Sequence, residues 1–171
     1  VDLEIREVAQ LINDRAIAVT GAGGSIGSEL CKQIAAFQPS KLLLIDSSEF
    51  NLYSIGRQLA TAFPGVEREE RILDVRMADR VLAAFTDFRP DVVFHAAALK
   101  HVPLVEQNPV EGIETNLIGT RNVADAALAA EAAAFVMVST DKAVNPANVM
   151  GATKRAAEAY CQALDLSLIH I

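Results

Sequence analysis

VTGAGGSIGSEL, residues 19–30, is the stretch on which the fold turns. It sets Gly21, Gly24 and Gly27 in a GxxGxxG spacing directly after the apolar run AIAVT (16–20), at the mouth of the helix-like pattern SIGSELCKQIAAF (25–37). Glycine permits the tight turn and lets backbone approach a bulky anion. A helix opening at Ser25 and Ile26 would then turn its free amides and positive dipole end toward a pyrophosphate. A structural loop needs no such spacing between a buried strand and an amphipathic helix.

Outward from this turn, short apolar runs alternate with longer helical patterns. The runs are 16–20, KLLLID (41–46), RILDV (71–75), DVVFHAAA (91–98) and AAFVMVST (133–140); between them lie EFNLYSIGRQLATAF, MADRVLAAFTDF and VEGIETNLIGTRNVADAALAAE. Continuous apolar runs of this length suit strands buried on both faces, as when helices cover a parallel sheet. The alternation predicts an α/β, doubly wound Rossmann fold. Pro64-Gly65 and Arg89-Pro90 break helical patterns before the next strand, and Pro109 suits a helix start. Residues 1–14 read as an amphipathic helix leading into a single dinucleotide-binding domain at 15–165. The ending LSLIHI (166–171) reads as a translated transposon-end adapter and is expected to be a non-native tail.

Asp46 closes the second run 19 residues beyond Gly27, close to the interval of about 20 at which an acidic residue meets the adenosine ribose. A carboxylate there accepts from ribose hydroxyls and repels a 2′-phosphate, and Ser47 and Ser48 bring no cation to bind one. The cofactor expected is NAD. Asp74, after the third run, can accept from an adenine amino group or serve a cap or turn.

With 15 Lys and Arg against 22 Asp and Glu, the net charge of −7 gives no basic footprint for nucleic acid. Cys31 and Cys161 sit in helical patterns without CxxC or Cys/His ligand spacing, which suits buried thiols in a reducing compartment, hence the cytoplasm. The greasiest stretch carries Asp125 and Glu131, so no membrane contact is expected from this segment. His95 and His101 lack partners at ligand spacing, and no metal is expected.

TGAGGSIG (20–27), HAAALKHVPLVE (95–106), TNLIGTRNVADAA (115–127) and STDKAVNPANVMGATKR (139–155), in this order, resemble the extended short-chain dehydrogenase/reductase superfamily. More narrowly, they resemble its CapD-like group of UDP-N-acetylglucosamine 4,6-dehydratases. Dehydrogenases of that superfamily keep a tyrosine four positions before a lysine. Here Lys154 is present but Met150 stands in the tyrosine's place, and a thioether has no acidic proton. In the large members of this group methionine is common there, and a Thr-Asp-Lys triplet, matched by Thr140, Asp141 and Lys142, takes over the proton work.

The resemblance implies oxidation at C4 of a UDP-sugar, elimination of water across C5 and C6, and hydride return to C6, in capsule, O-antigen or glycan biosynthesis. It implies Asp141 as general acid at C6, Lys142 as base at C5, Thr140 on the C4 oxygen, and Lys154 on the nicotinamide ribose. Burial is expected to bring the Asp141 and Lys142 pKa values into working range. Ala96 and Ala97 would let backbone approach the cofactor, while Lys100 and Asn116 would meet substrate or organise the site. The group's large members carry membrane helices and a further nucleotide-binding domain ahead of this one and a UDP-sugar-binding region after it. The stretch is therefore expected to be truncated before the substrate region and nearly inactive alone, its parent anchored at the cytoplasmic face of the inner membrane; a homo-oligomer is compatible with the resemblance. A UDP-sugar epimerase and a non-catalytic dinucleotide-binding module are the alternatives.

Overall fold

The computed structural model describes residues 2–164, with side-chain environments from residue 6 onward; the expected tail at 166–171 lies outside the described residues. Helix α1 (Asp2–Ile12) leads through a left-handed Asp14 into β1 (Ala16–Thr20). Then follow α2 (Ser25–Ala36), β2 (Lys41–Asp46), α3 (Glu49–Ala62), β3 (Arg68–Ile72), α4 (Ala78–Phe88) and β4 (Val92–His95). After β4 come α5 (Val102–Gln107), α6 (Pro109–Gly112), a π-helical segment (Ile113–Ile118), α7 (Gly119–Ala129), β5 (Ala134–Met137), a 3₁₀ turn (Asp141–Ala143) and α8 (Val149–Ala163).

The five strands form one parallel sheet in the order β3-β2-β1-β4-β5. Side chains alternate across it, as a strand's period of two requires. Ile17, Val19, Leu42, Leu44, Phe94 and Val136 pack with Cys31, Ile34, Ile55 and Leu59 of α2 and α3. On the other face, Ala18, Leu43, Ile45, Val93, Phe135 and Met137 meet Phe85, Val123, Ala127 and Ala157 of α4, α7 and α8. The chain winds outward from β1 to β3 and then crosses to β4, so the connections leaving the carboxyl ends of β1 and β4 run to helices on opposite faces of the sheet. Ligands of doubly wound sheets bind in the crevice at such a switch point.

Four elements differ from the sequence reading. The third strand begins at Arg68 rather than Arg71, since this edge strand pairs only with β2 and tolerates the charged run Arg68–Arg71, whereas Leu73 and Val75 are buried in the connection that follows. Strands β4 and β5 stop at His95 and Met137, so 96–98 and 138–140 leave the ladder. The long helical pattern 110–131 is interrupted by the π segment, an irregularity found often at functional sites.

A buried polar chain crosses the switch point. The Thr120 hydroxyl donates its only proton to the Asn116 carbonyl (2.6 Å), so its oxygen accepts from His95 Nε2–H (2.9 Å). His95 Nδ1 is then the acceptor for the Thr20 hydroxyl (2.6 Å). Full burial, with Lys154 adding repulsion, pushes the His95 pKa down to about 3. Because the unfolded chain regains the ordinary value near 6.5, it binds the extra proton between those limits, and stability falls as pH falls through that window. Between pH 7.5 and pH 5, His95 should cost the fold on the order of 2 kcal/mol. Urea midpoints at the two pH values should show this loss, and His95→Gln should shrink the difference.

Candidate active site

At the switch point the backbone of the glycine turn lies against the loop after β4. Gly21 has φ of 68°, and a Cβ on it would lie 2.6 Å from the Ala97 nitrogen and 2.7 Å from the Ala96 carbonyl carbon. A Cβ on Gly27 would lie 1.9 Å from the Gly21 oxygen. A side chain on Gly21 would force the turn off the loop after β4, and one on Gly27 would force α2 off the turn. Gly24 is the N-cap of α2 and offers no side-chain cap, so the opening amides of the helix, at Ser25 and Ile26, keep their need for an acceptor. An anion such as a pyrophosphate fits that need.

Asp46 ends β2 with both carboxylate oxygens engaged. Oδ2 accepts from the Gly23 amide (2.9 Å) and Oδ1 from the Ser48 amide (2.8 Å). The second glycine of the turn, Gly23, lies outside the GxxGxxG spacing, and a Cβ there would meet Asn51 Cβ at 2.5 Å. The carboxylate thereby pins the turn, and its remaining lone pairs stay available to a ribose. The N-cap of α3 is Ser48, not Asp46.

Two cavities flank the turn. The first, about 360 Å³, is walled by Gly21, Asp46, Ser48, Asp74, Arg76 and Ala97 among others. The second, about 440 Å³, is walled by Ser25, Ile26, Lys100, Thr140, Lys142, Met150 and Lys154 among others. Gly24, Ala96, Ala98 and Leu99 border both, so together they form a split trough over the glycine turn. An elongated two-part ligand with an anionic middle matches that shape.

The second cavity gathers the residues of the STDKAVNPANVMGATKR stretch. Thr140 caps the 3₁₀ turn that follows β5, and its hydroxyl donates to Asp141 Oδ1 (3.0 Å). Lys142 Nζ lies 3.6 Å from the same oxygen. Gly151, in the first turn of α8, lets the Lys142 carbonyl sit where a Cβ would be only 2.3 Å from it. Met150, beside it in the same turn, and Lys154, one turn further on, are both 4% exposed. The Lys154 ammonium donates to the Val138 carbonyl (2.6 Å), and burial pushes its pKa down to about 8. Ser139, beside Thr140, donates to Glu158, one helical turn beyond Lys154.

Several expected placements need correction. Asp141 is not buried: its side chain is 89% exposed, it is absent from the cavity wall, and the Thr140 hydroxyl, followed by Lys142, holds its carboxyl below the usual range. Lys142 is half exposed. The desolvated amine is Lys154. Asn116 is fully buried and does not reach a substrate, because Oδ1 accepts from Leu99 N–H (2.8 Å) while Nδ2 donates to the Leu99 carbonyl (3.0 Å) and to Thr153 (3.0 Å). It positions the loop after β4 against α8. Asp74 faces the first cavity, but its carboxylate is engaged by the Arg76 backbone and guanidinium. Lys100 reaches across the second cavity to Ser25 (3.3 Å).

Sequence reasoning passed over Gly23, Arg76, Ser139, Gly151 and Glu158. Gly23 and Gly151 stand inside quoted motifs, yet only the neighbouring chain segment shows why they carry no side chain. Glu158 lies four residues after Lys154, a helical spacing that offered a signal. The described residues contain no group of three or more His, Cys, Asp or Glu able to hold a metal.

Parallel sheet, strand order and glycine-turned trough define a doubly wound dinucleotide-binding domain of the short-chain dehydrogenase/reductase kind. Within that class the chain belongs to the polysaccharide biosynthesis protein family, whose pattern matches residues 17–168. It is 48% identical to the capsular polysaccharide biosynthesis protein CapD of Staphylococcus aureus, over 96% of this chain and 28% of that one. It is 38% identical to a UDP-N-acetylglucosamine 4,6-dehydratase (inverting) of Campylobacter jejuni, over 86% of this chain and 43% of that one. UDP-glucose 4-epimerases are also among its relatives. The chain thus spans less than half the length of these curated relatives. Among solved structures, Pen from Bacillus thuringiensis superposes with a TM-score of 0.84 at 30% identity, covering 92% of this chain and 50% of that one. WbmG of Bordetella bronchiseptica, solved with NAD and UDP, superposes at 0.76 and 23% identity, covering 92% and 52%, a likeness of fold alone.

The burial of Lys154 is a cost to the fold. Its amine ionises near 8 when folded and near 10.5 when unfolded, so stability is lowest below pH 8 and rises as pH climbs from 8 toward 10.5. Lys154→Met should therefore stabilise the chain by about 1–2 kcal/mol at pH 7, after allowing for the lost hydrogen bond to Val138. Denaturant unfolding at pH 7 and pH 10.5 should show the gain at the first and its decline at the second.

Proposed function

We propose that this chain is the NAD-binding and catalytic part of a nucleotide-sugar 4,6-dehydratase acting on UDP-N-acetylglucosamine in cytoplasmic glycan biosynthesis. The observation that carries this reading is the convergence of Thr140, Lys142, Met150 and Lys154 on one cavity wall beside the glycine turn. No tyrosine joins them: the chain has two, and neither Tyr53 nor Tyr160 borders either cavity of the trough. A site without a phenol but with a hydroxyl, an amine pair and an adjacent carboxyl suits elimination better than simple alcohol oxidation.

Bound NAD would supply a hydride acceptor and donor, held with its pyrophosphate at Gly24–Gly27, its adenosine ribose on Asp46 and its nicotinamide ribose on Lys154. As hydride leaves C4, the C4 hydroxyl gives up its proton to solvent water, and the Lys154 cation stabilises the negative charge developing on that oxygen. Lys142, beside the acidic C5 position of a 4-keto sugar, takes the C5 proton. Asp141 delivers a proton to the departing C6 hydroxyl. The Thr140 hydroxyl links these roles: it donates to Asp141 (3.0 Å), and the same proton turns to the C4 oxygen when a sugar enters. Asp141 then loses the bond that most depresses its pKa, just as the sugar displaces water from it, and both changes raise its affinity for a proton.

In a full-length protein carrying this segment, incubation with UDP-N-acetylglucosamine and NAD should give a product lighter by one water, read by mass spectrometry. Asp141→Asn and Lys142→Ala should each slow single-turnover elimination by about 100-fold or more, the usual scale of a general acid or base. A product of unchanged mass, the outcome of epimerisation, or near-normal elimination in both variants would overturn the assignment.

A further inference from the structure

Arg76, in the connection between β3 and α4, gathers three carboxylates at the edge of the first cavity. Its Nε and Nη2 bind Asp74 Oδ2 at 2.9 and 2.6 Å on its own loop. Its Nη1 crosses to Glu111 Oε2 of α6 at 2.7 Å and stands 3.5 Å from Glu114 Oε2 of the π segment. Asp74, Arg76 and Glu111 all border the cavity that Asp46 and Ser48 also line. The guanidinium therefore ties the loop after β3 to α6 and the π segment at the first cavity, whose wall includes neither Lys142 nor Lys154.

Both feet of this bridge are held by a buried asparagine. On the Arg76 side the backbone is anchored: the amide of Asn122, itself 5% exposed, donates to the carbonyls of Val75 (3.0 Å) and Arg76 (3.2 Å). Gly119 lets Val75 approach so closely that a Cβ there would lie 2.7 Å from Val75 Cγ2. On the other side, Glu114 belongs to the π segment, whose fully buried Asn116 is hydrogen-bonded to Leu99 and Thr153, and Glu111 to the four-residue helix that leads into it. A lone exposed ion pair contributes little, but a guanidinium shared in fixed fork geometry among three carboxylates is the exception.

We propose that the Arg76 bridge is a retention device that closes the cavity over the adenosine half of the dinucleotide, and that Arg76 is a positioning residue for cofactor residence. The proposal rests on the dehydratase reading, in which hydride taken from C4 returns to C6, so the dinucleotide is restored within each turnover and gains nothing by leaving. Slow release is then useful, unlike in a dehydrogenase that must exchange its cofactor every cycle.

The test is the release rate of bound NADH from this chain, followed by fluorescence on displacement with excess NAD. Arg76→Met, which keeps the aliphatic stem, should release NADH at least tenfold faster, with weaker binding of AMP and unaltered binding of nicotinamide mononucleotide. The double variant Glu111→Gln with Glu114→Gln keeps the Arg76–Asp74 pair and opens only the crossing; it should accelerate release several-fold. Raising NaCl from about 50 to about 500 mM should speed release from the unmodified chain and change Arg76→Met little, because screening acts on the ion pairs the variant lacks. Release within twofold of the unmodified rate in the double variant overturns the bridge, even if Arg76→Met is fast or fails to fold. If the unmodified chain binds neither NADH nor AMP, the dinucleotide reading falls together with the bridge, whereas unchanged release from a chain that binds both removes the bridge alone.

Discussion

The contact on which the site depends is backbone against backbone: the turn at Gly21 lying on the peptide between Ala96 and Ala97. Parallel pairing of β1 with β4 brings the two segments to the same level, His95 opposite Thr20, and the lack of a side chain on Gly21 lets them close. From that approach follow the exposed first turn of α2, the two cavities on either side of Gly24, and the seat for an anion between them. Asp46 completes the frame by tying the turn to the end of β2 through Gly23.

Behind this frame lies a layer of buried polar groups whose arrangement serves position rather than chemistry. Thr20, His95, Thr120 and Asn116 form one directed chain of hydrogen bonds, and Asn116 extends it to both polar groups of Leu99 and to Thr153 of α8. Such a network is stabilising when every member is satisfied and costly when one is lost. It fixes the loop after β4 relative to the helix bearing Met150 and Lys154, and so fixes the width of the second cavity. The same packing desolvates Lys154. Stability is given up at the wall of the second cavity, a common bargain at functional sites.

Thr140, Asp141 and Lys142 are arranged differently. Their hydrogen-bonded 3₁₀ turn sets the carboxyl outward and the amine half outward, so the groups assigned to proton transfer stand in water rather than in a prepared dry pocket. On the proposed reading, a sugar seated against Thr140 would change both the hydrogen bonding and the hydration of Asp141 together, coupling the acid's readiness to substrate entry.

Periodicity and the glycine spacing carried the fold in the sequence: buried strands at 16–20 and 41–46, helices between, and a dinucleotide turn after β1 are local consequences of hydrophobic pattern and of glycine's freedom. The motif order placed Thr140, Lys142, Met150 and Lys154 together, because residues after β5 and at the start of α8 must meet at the carboxyl edge of the sheet. What sequence alone left undecided depends on contacts between distant segments. Charged Arg68–Arg71 becomes a strand because only one neighbour flanks it; Asn116 turns inward because Leu99 and Thr153 satisfy it; Asp141 stays wet because nothing in the described residues packs over it; and Arg76 finds Glu111 and Glu114 only once the π segment is folded against the loop after β3. Burial and hydrogen-bond partnership are properties of the assembled layers, and they decide which polar residues hold the site and which are free to act in it.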